Sequence, residues 1–378
     1  MTTYSYIDTP EALDAAVGRL GTQTLLGIDT EAAGYHRYLD RISLIQISSR
    51  AETVLIDPLA LTDLGCLSTV LGNERIEKVF HDADFDLRIL DRDLDLRVVC
   101  LFDTQIAASF LGDRGLGLGA VVETHLGLTL PKAFQRADWA ERPLTEGMKE
   151  YAATDTVHLA TLRDILRDKL LAAGRLAWAE EEFERRAQTR WVAPDKTDAF
   201  LRIKGARDLS PGALAILREL HAWREAVAEE RDQAPFRIVS NEALLALSTE
   251  APTSVVGLRK IRGLSSGLID RRGRDVVAAI ARGLSVPEAE RPRFPRPERW
   301  QRDPEVDARG DRLREARGRV AEALNLDPGF MVSRGLLDEI ARLNPGSVDQ
   351  LREVPGLRRW QVEVLGAELV AALHAPTR

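Results

Sequence analysis

The sequence predicts a mixed α/β sheet unit at the front of the chain and an all-α arrangement behind it. Three observations carry that reading. Short apolar runs alternate with helical stretches through the first third. From Thr145 onward, apolar residues recur at helical spacing. The back half then repeats itself at an offset of 93 residues, a period too long for a solenoid.

The front elements follow in order. Leu25-Leu26-Gly27-Ile28 is a short apolar run ending at Asp29, Ile42 to Ile47 is a second, and Val54-Leu55-Ile56 is a third, closed by Asp57-Pro58. Runs of this length with β-branched residues and turn punctuation read as strands. Leu59 to Leu71 reads as a helix, Val79-Phe80 as a strand, and the stretch through Asp86, Ile89 and Leu90 as a helix. Val98-Val99 leads into a helix near Thr104 to Leu111. Three strands followed by αβα predict a mixed sheet with helices packed on it. Thr145 is placed to cap a helix, Leu159, Leu162, Ile165, Leu166 and Leu170 form its apolar stripe, and Gly174 ends it.

In the back half the offset aligns Leu220 with Leu313, Arg224 with Arg317, Pro235 with Pro328, Ser240 with Ser333 and Gly263 with Gly356. The register never breaks, so two copies of one small helical domain are expected. The expected division is 1–205 for the sheet unit, 206–286 for the first copy, 287–307 for a linker rich in Pro and Arg, and 308–378 for the second copy.

Composition narrows the function classes. With 378 residues, 44% hydrophobic and 29% charged, the chain has ordinary globular composition. No run approaches the roughly 18 apolar residues of a membrane span. The N-terminus shows neither a basic nor an apolar leader region, and two cysteines, Cys66 and Cys100, exclude a disulfide scaffold and a Cys-rich zinc module. A cytoplasmic protein is expected. Charge is uneven: residues 1–200 carry 22 basic and 33 acidic side chains, and residues 201–378 carry 30 and 26. Twelve basic residues against five acidic fall within 255–302, among them Arg259, Lys260, Arg262, Arg271, Arg272, Arg274, Arg296, Arg299 and Arg302. An acidic, metal-using front joined to a polyanion-binding back suits this pattern, and solvated helix faces would produce it too.

Three short motifs could carry chemistry. In Ile28-Asp29-Thr30-Glu31 the two acids lie two apart on a strand, so both face one side and can meet one hard divalent cation. His81-Asp82-Ala83-Asp84-Phe85-Asp86-Leu87 places three acids just after a strand. Tyr151 and Asp155 stand at i and i+4 of a helix, with phenol and carboxylate on one face. Each alone is also an ordinary strand end, helix cap or packed pair.

Taken together, in this order and spacing, the motifs resemble the DEDD exonuclease superfamily in its tyrosine-containing branch. Gly117 to Lys132 and Ala137 to Leu144 bring the resemblance to the ribonuclease D family, and the duplicated back half resembles two HRDC domains. The resemblance implies a ribonuclease H-like mixed sheet and a 3′-5′ exoribonuclease. It would bind two Mg²⁺ or Mn²⁺ per site through Asp29, Glu31, Asp86 and Asp155, with Tyr151 holding the attacking water. Asp86 is chosen over Asp82 and Asp84 because the family's aspartate directly precedes a leucine. His81 falls near the substrate end, and Arg259, Lys260, Arg262, Arg271, Arg272 and Arg274 are the expected nucleic-acid contacts. The expected partner is RNA, chiefly tRNA precursors, with no membrane and no obligate protein partner. Two cations about 3.5–4 Å apart generate a nucleophile and stabilise the leaving 3′ oxygen; without them, four clustered carboxylates repel one another and leave the site weakly folded. The chain departs from the family at Ala32-Ala33-Gly34, where a large residue usually follows Glu31, and at Met148, where Gln is usual.

A 3′-5′ exonuclease acting on DNA fits the same residues, since no sugar selector is readable. A catalytically silent nucleic-acid-binding protein fits less well, because all four acids and the tyrosine are present. Gly263-Leu-Ser-Ser-Gly267 matches a nucleophile elbow in letters only, since its surroundings are helical. Gly115-Leu-Gly-Leu-Gly119 reads as a loop because no strand precedes it.

Overall fold

The computed structural model describes residues 3–295 and 303–375. In the front unit the order is β1 (Ser5–Ile7), α1 (Pro10–Leu20), β2 (Leu25–Ala32), β3 (Ile42–Ser48), β4 (Thr53–Ile56), α2 (Ser68–Leu71), β5 (Glu77–Phe80), α3 (Asp84–Leu94), β6 (Leu101–Asp103), α4 (Thr104–Leu111), α5 (Leu118–Leu126), α6 (Glu146–Val157), α7 (Leu159–Ala172) and α8 (Leu176–Ala187). The strands form one sheet in the order β1-β4-β3-β2-β5-β6. β3 runs antiparallel to β2 and β4, and the remaining pairs are parallel. This is the expected mixed sheet.

Both sheet faces are covered. Side chains alternate along a strand, so on β3 Ile45 and Ile47 enter the core shared with α1 and α3, while Leu44 enters the core beneath α6 with Trp139 and Tyr151. Several elements differ from the expectation. β1 and α1 precede the first expected strand. A strand, Leu101–Asp103, lies between Val98-Val99 and the helix expected near Thr104. Only the end of Leu59–Leu71 is helical, because the Asp57 and Asp63 side chains accept from the backbone N–H of Leu59 (2.9 Å) and Gly65 (2.7 Å) and bend the chain into turns. The helix from Thr145 breaks at His158 into α6 and α7.

The back half is α9 (Pro211–Glu230), α10 (Pro235–Ile238), α11 (Asn241–Glu250), α12 (Val255–Leu258) and α13 (Ser266–Leu284), then α14 (Pro304–Leu324), α15 (Pro328–Met331), α16 (Arg334–Leu343), α17 (Val348–Arg352) and α18 (Arg359–Leu373). Each helix of the second set starts 93 residues after its counterpart. Even the backbone exceptions repeat: Ala251 and Asn344 (φ 44° and 46°), and Gly263 and Gly356 (φ 91° and 85°), share left-handed conformations. α14 begins at Pro304, so the last positions of the expected linker are helical. Arg296, Arg299 and Arg302 lie outside the described residues.

The two copies attach differently. The first has a core of its own, which Tyr38 of the front unit joins. The second shares a continuous core with α4, α5, α7 and α8. There Trp360 stacks with Trp178 (5.8 Å) and meets Phe110 edge-on (5.0 Å). The Trp360 indole N–H and the Arg358 guanidinium both reach Glu182, at 2.9 and 3.0 Å.

One buried ion pair fixes the segment before α6. Arg142 donates to both carboxylate oxygens of Asp57 (2.6 and 2.7 Å), to the Ser43 carbonyl (2.6 Å) and to the Trp139 carbonyl (2.7 Å). Burial alone would raise the Asp57 carboxyl, but hydrogen bonds from Arg142 and Tyr6 hold it below the usual range. Asp57 is only 3% exposed, so Arg142→Ala strands a buried charge. The expected loss is about 3 kcal/mol or more, read as a lowered urea midpoint at unchanged slope; an unmoved midpoint would show that the pair contributes nothing.

Candidate active site

β2 carries the first two acids. Asp29 stands opposite Gln46 and Glu31 opposite Leu44 on β3, so both point toward α6, while Thr30, opposite Ile45, points toward α3. β5 pairs only with Leu25 to Gly27 and ends at Phe80, which leaves the far half of that β2 edge open to the 81–86 segment. A Cβ on Gly27 would lie 2.9 Å from both the Leu159 Cβ and the Thr156 carbonyl oxygen. Glycine therefore lets the α6–α7 break press against β2, which brings Asp155 to Asp29.

The result is a tight acidic group. One carboxylate oxygen each from Asp29, Glu31 and Asp155 lies within 4.8 Å of the others. Asp86 comes from α3, on the far side of β2, is 6% exposed, and accepts a hydrogen bond from the Thr30 hydroxyl. Its charge is felt by Glu31 and it feels that of Asp29. Sequence spacing alone does not separate Asp86 from its neighbours; in the structure the three acids differ in burial and partners, although Asp86 is not among the three whose oxygens cluster within 4.8 Å. Asp84 is held by Arg88 and Arg186, each at 2.8 Å, and Asp82 is exposed with a φ of 57°.

The electrostatics demand a counter-charge. Burial first, and then the charge of Asp155, push the Asp29 carboxyl up to about 8. Burial raises Asp155 to about 7 against the opposing effect of its interaction with the Tyr151 phenol. Glu31 and Asp86 are raised well above their ordinary values, by burial and then by neighbouring acids. Among the described residues no lysine or arginine is a cause of these four shifts, although Lys132 lines the cavity beside Asp29 and Asp155. Hard oxygen donors, desolvated and uncompensated, fit divalent cations of the Mg²⁺ or Mn²⁺ kind.

Tyr151 lies beside them, 8% exposed, with its ring near Phe134 (6.0 Å) and Trp139 (6.1 Å). Burial and the charges of Asp155, Glu31 and Asp29 raise its phenol, so it stays protonated at neutral pH. Asp29, Tyr151 and Asp155 open onto a cavity of about 400 Å³ that His81, Lys132 and Gln135 also line. Burial lowers the His81 imidazole, which keeps it neutral. Its Nδ1 is 2.9 Å from the Thr104 hydroxyl, which itself donates to the Phe80 carbonyl (3.0 Å), and Nε2 has no partner.

The six expected basic contacts stand far along the chain, on the α12–α13 turn and the first half of α13. Arg259 and Arg272 are paired with Asp270 (2.8 Å) and Glu230 (2.6 Å). Lys260, Arg262, Arg271 and Arg274 are exposed and, among the described residues, have no carboxylate within 4.0 Å. Ser265 of the elbow-like Gly263–Gly267 stretch caps α13, accepting from the Leu268 N–H (3.2 Å).

Sequence reasoning missed three supporting residues. Asp103 is fully buried, caps α4, and accepts from the N–H groups of Asp82 (3.1 Å) and Ala83 (2.9 Å), which pins the turn that presents His81 and starts α3. Thr30 sits between two acids and was readable only as strand filler. Gly27 was visible as a glycine in a strand, a sign of close backbone approach.

The chain is similar to known proteins along its length. The 3′-5′ exonuclease family matches residues 4–171, and the HRDC domain family matches 213–280 and 307–373. The ribonuclease D of Pseudomonas paraeruginosa is 32% identical over 94% of this chain and 93% of its own, and that of Shewanella sp. is 36% identical over 74% and 72%. The fold is similar to that of the Escherichia coli ribonuclease D, described as an exoribonuclease involved in structured RNA processing, with a TM-score of 0.71, 27% identity, and 98% and 99% of the two chains covered. A protein from Bifidobacterium adolescentis gives a TM-score of 0.85 at 27% identity over 98% and 97%. Helices over the mixed sheet, a buried acidic group beside a tyrosine and a duplicated helical tail thus accompany full-length similarity: the chain belongs to the ribonuclease D family, a 3′-5′ exonuclease domain followed by HRDC domains, and is a nuclease of the hydrolase class.

Proposed function

We propose that this chain is a cytoplasmic exoribonuclease that shortens structured RNA from the 3′ end, chiefly tRNA precursors, and releases 5′-mononucleotides without an obligate protein partner. The observation that carries the reading is the close group of Asp29, Glu31 and Asp155 beside Tyr151, with buried Asp86 next to it across β2. In domain terms, 1–205 does the chemistry, 206–286 and 308–378 are HRDC units, and 287–307 joins them.

Asp29, Glu31, Asp86 and Asp155 would hold two Mg²⁺ or Mn²⁺ ions. When bound, such ions supply a nucleophile at neutral pH and neutralise charge on the phosphate and the leaving oxygen. The chain's own residues do the rest. Thr30 orients Asp86 through its hydroxyl. Protonated Tyr151 holds a water in line by hydrogen bonding and adds no charge to an already acidic site. Neutral His81, its Nδ1 committed to Thr104, lines the cleft at the substrate end. Water oxygen joins phosphorus, the bond from phosphorus to the 3′ oxygen breaks, and that oxygen takes a proton to become the new 3′ end. Lys260, Arg262, Arg271 and Arg274 meet phosphates farther along the RNA.

Asp86→Asn is expected to lower turnover of a tRNA precursor by about 10²-fold or more, with gel-shift affinity retained. Near-normal turnover with Mg²⁺ would remove Asp86 from the site. Matched RNA and DNA oligonucleotides in the same assay separate this reading from a DNA exonuclease.

Metal and proton compete for the same oxygens. An unfolded aspartate titrates near about 3.9, whereas Asp155 and Asp29 titrate at about 7 and about 8 in the fold. Between those values the folded state holds protons that the unfolded state has lost, so metal-free stability falls as pH rises from about 4 to about 8. The Tm of the metal-free protein should drop from pH 6 to pH 8, and Mn²⁺ should restore more at pH 8 than at pH 6. A Tm flat in pH, or equal restoration at both, contradicts the proposed ligand set.

Replacing Lys260 and Arg262 with Gln removes two unpaired cations. The slope of log affinity for a tRNA precursor against log salt should become shallower by about 1 to 2, while release of nucleotide from a dinucleotide is unaffected by salt-dependent capture. An unchanged slope excludes these two side chains from the RNA path.

A further inference from the structure

The loop that leaves Glu31 is held between two partners. His36 donates through Nε2 to the Arg136 carbonyl (2.8 Å), and Arg37 pairs with Asp138 (2.9 Å), both on the segment before α6. On the other side the Tyr35 carbonyl accepts from Arg237 (2.9 Å), the His36 carbonyl from the Ala234 N–H (3.1 Å), and Asp232 accepts from the Tyr38 N–H (3.2 Å), all from the α9–α10 corner of the first helical copy. The Tyr35 backbone is therefore fixed at a three-way seam.

What this seam displays is unusual for a surface. Tyr35 and Phe236 are 46% and 47% exposed, with ring centroids 5.1 Å apart. The guanidiniums of Arg136 and Arg237 lie 5.8 and 5.1 Å from the centre of the Tyr35 ring. Among the described residues neither has a carboxylate within 4.0 Å, although Arg37 on the same loop is paired with Asp138. Two cations that converge on one ring without an acid repel each other, and a bound anion relieves the repulsion. Exposed aromatic faces beside arginines are the chemistry that holds single-stranded nucleic acid: bases stack on rings and phosphates meet guanidiniums. The position fits as well. Tyr35 lies four residues beyond Glu31, and Arg136 follows Gln135, which lines the cleft.

We infer that Tyr35, Phe236, Arg136 and Arg237 form a second binding site, a stacking seat for an unpaired nucleotide of the RNA strand upstream of the 3′ end lodged in the cleft. The inference rests on the exoribonuclease reading for the identity of the strand. It also gives the first helical copy a direct share in the substrate path, through Phe236 and Arg237.

The test measures binding apart from hydrolysis. Fluorescein-labelled octauridylate and diuridylate are titrated by anisotropy against the full chain in Ca²⁺. Phe236→Ala and, separately, Arg136→Gln should each weaken octauridylate binding about tenfold, and the preference for octauridylate over diuridylate should shrink by the same factor. Both substitutions are on exposed side chains, and either one alone decides the matter if the other fails to fold. Octauridylate affinity within twofold of wild type in the folded variants overturns the seat, as does equal weakening of both ligands. Release of uridylate by the wild-type chain in Mn²⁺ is scored separately. Its absence would sink the exoribonuclease reading, while the length preference in binding still reports on the seat.

Discussion

Four buried carboxylates lie around β2, and among the described residues no basic side chain is a cause of their raised values; the rest of the front unit is arranged around that expense. Burying unpaired acids is costly, and a proton or a hard divalent cation is the kind of counter-charge that lowers that cost. The arrangement needs two sheet faces. Asp29 and Glu31 look toward α6, while Asp86 approaches along the opposite side of β2, steadied by Thr30. A strand of β5's length permits this, since a longer one would cover the edge that the 81–86 segment occupies.

The supports lie outside the motifs. Gly27 sets the distance between β2 and the α6–α7 break, and any side chain there would push Asp155 away from Asp29. Asp103 fixes the turn ahead of α3, so the orientation of His81 and the start of the helix bearing Asp86 are settled by a residue 17 positions after Asp86 in the chain. Arg142 and Asp57 clamp the segment carrying Trp139, against which the Tyr151 ring packs.

Legibility followed the range of the interaction. Asp29 with Glu31, and Tyr151 with Asp155, were readable because strand and helix periodicity alone put each pair on one face. The duplication was readable because two copies keep the same apolar positions. Asp86 needed the family resemblance, since nothing local distinguishes it from Asp82 and Asp84; only the ion pairs of Asp84 with Arg88 and Arg186, the second of them 102 positions away, make the difference physical. β1 escaped notice because three residues carry no period, and their pairing to β4 is a contact between distant positions. The same holds for Asp103 and Arg142, whose partners are remote.

The two helical copies show how one backbone serves two ends. Gly263 and Gly356 make the same left-handed turn ahead of α13 and α18. In the second copy that turn is followed by Arg358, Arg359 and Trp360, which dock on Glu181 and Glu182 of α8; the backbone N–H groups of Arg359 and Trp360 donate to Glu181 at 2.9 and 3.0 Å. In the first copy the equivalent residues are Ser265, Ser266 and Gly267, too small to dock, and Lys260, Arg262 and Arg271 around them stay exposed. A helix N-terminus whose N–H groups are already taken by a glutamate is closed to phosphate. The second copy is thus tied into the core of α4, α5, α7 and α8, while the corresponding turn of the first copy, where Ser265 caps α13, stays on the surface.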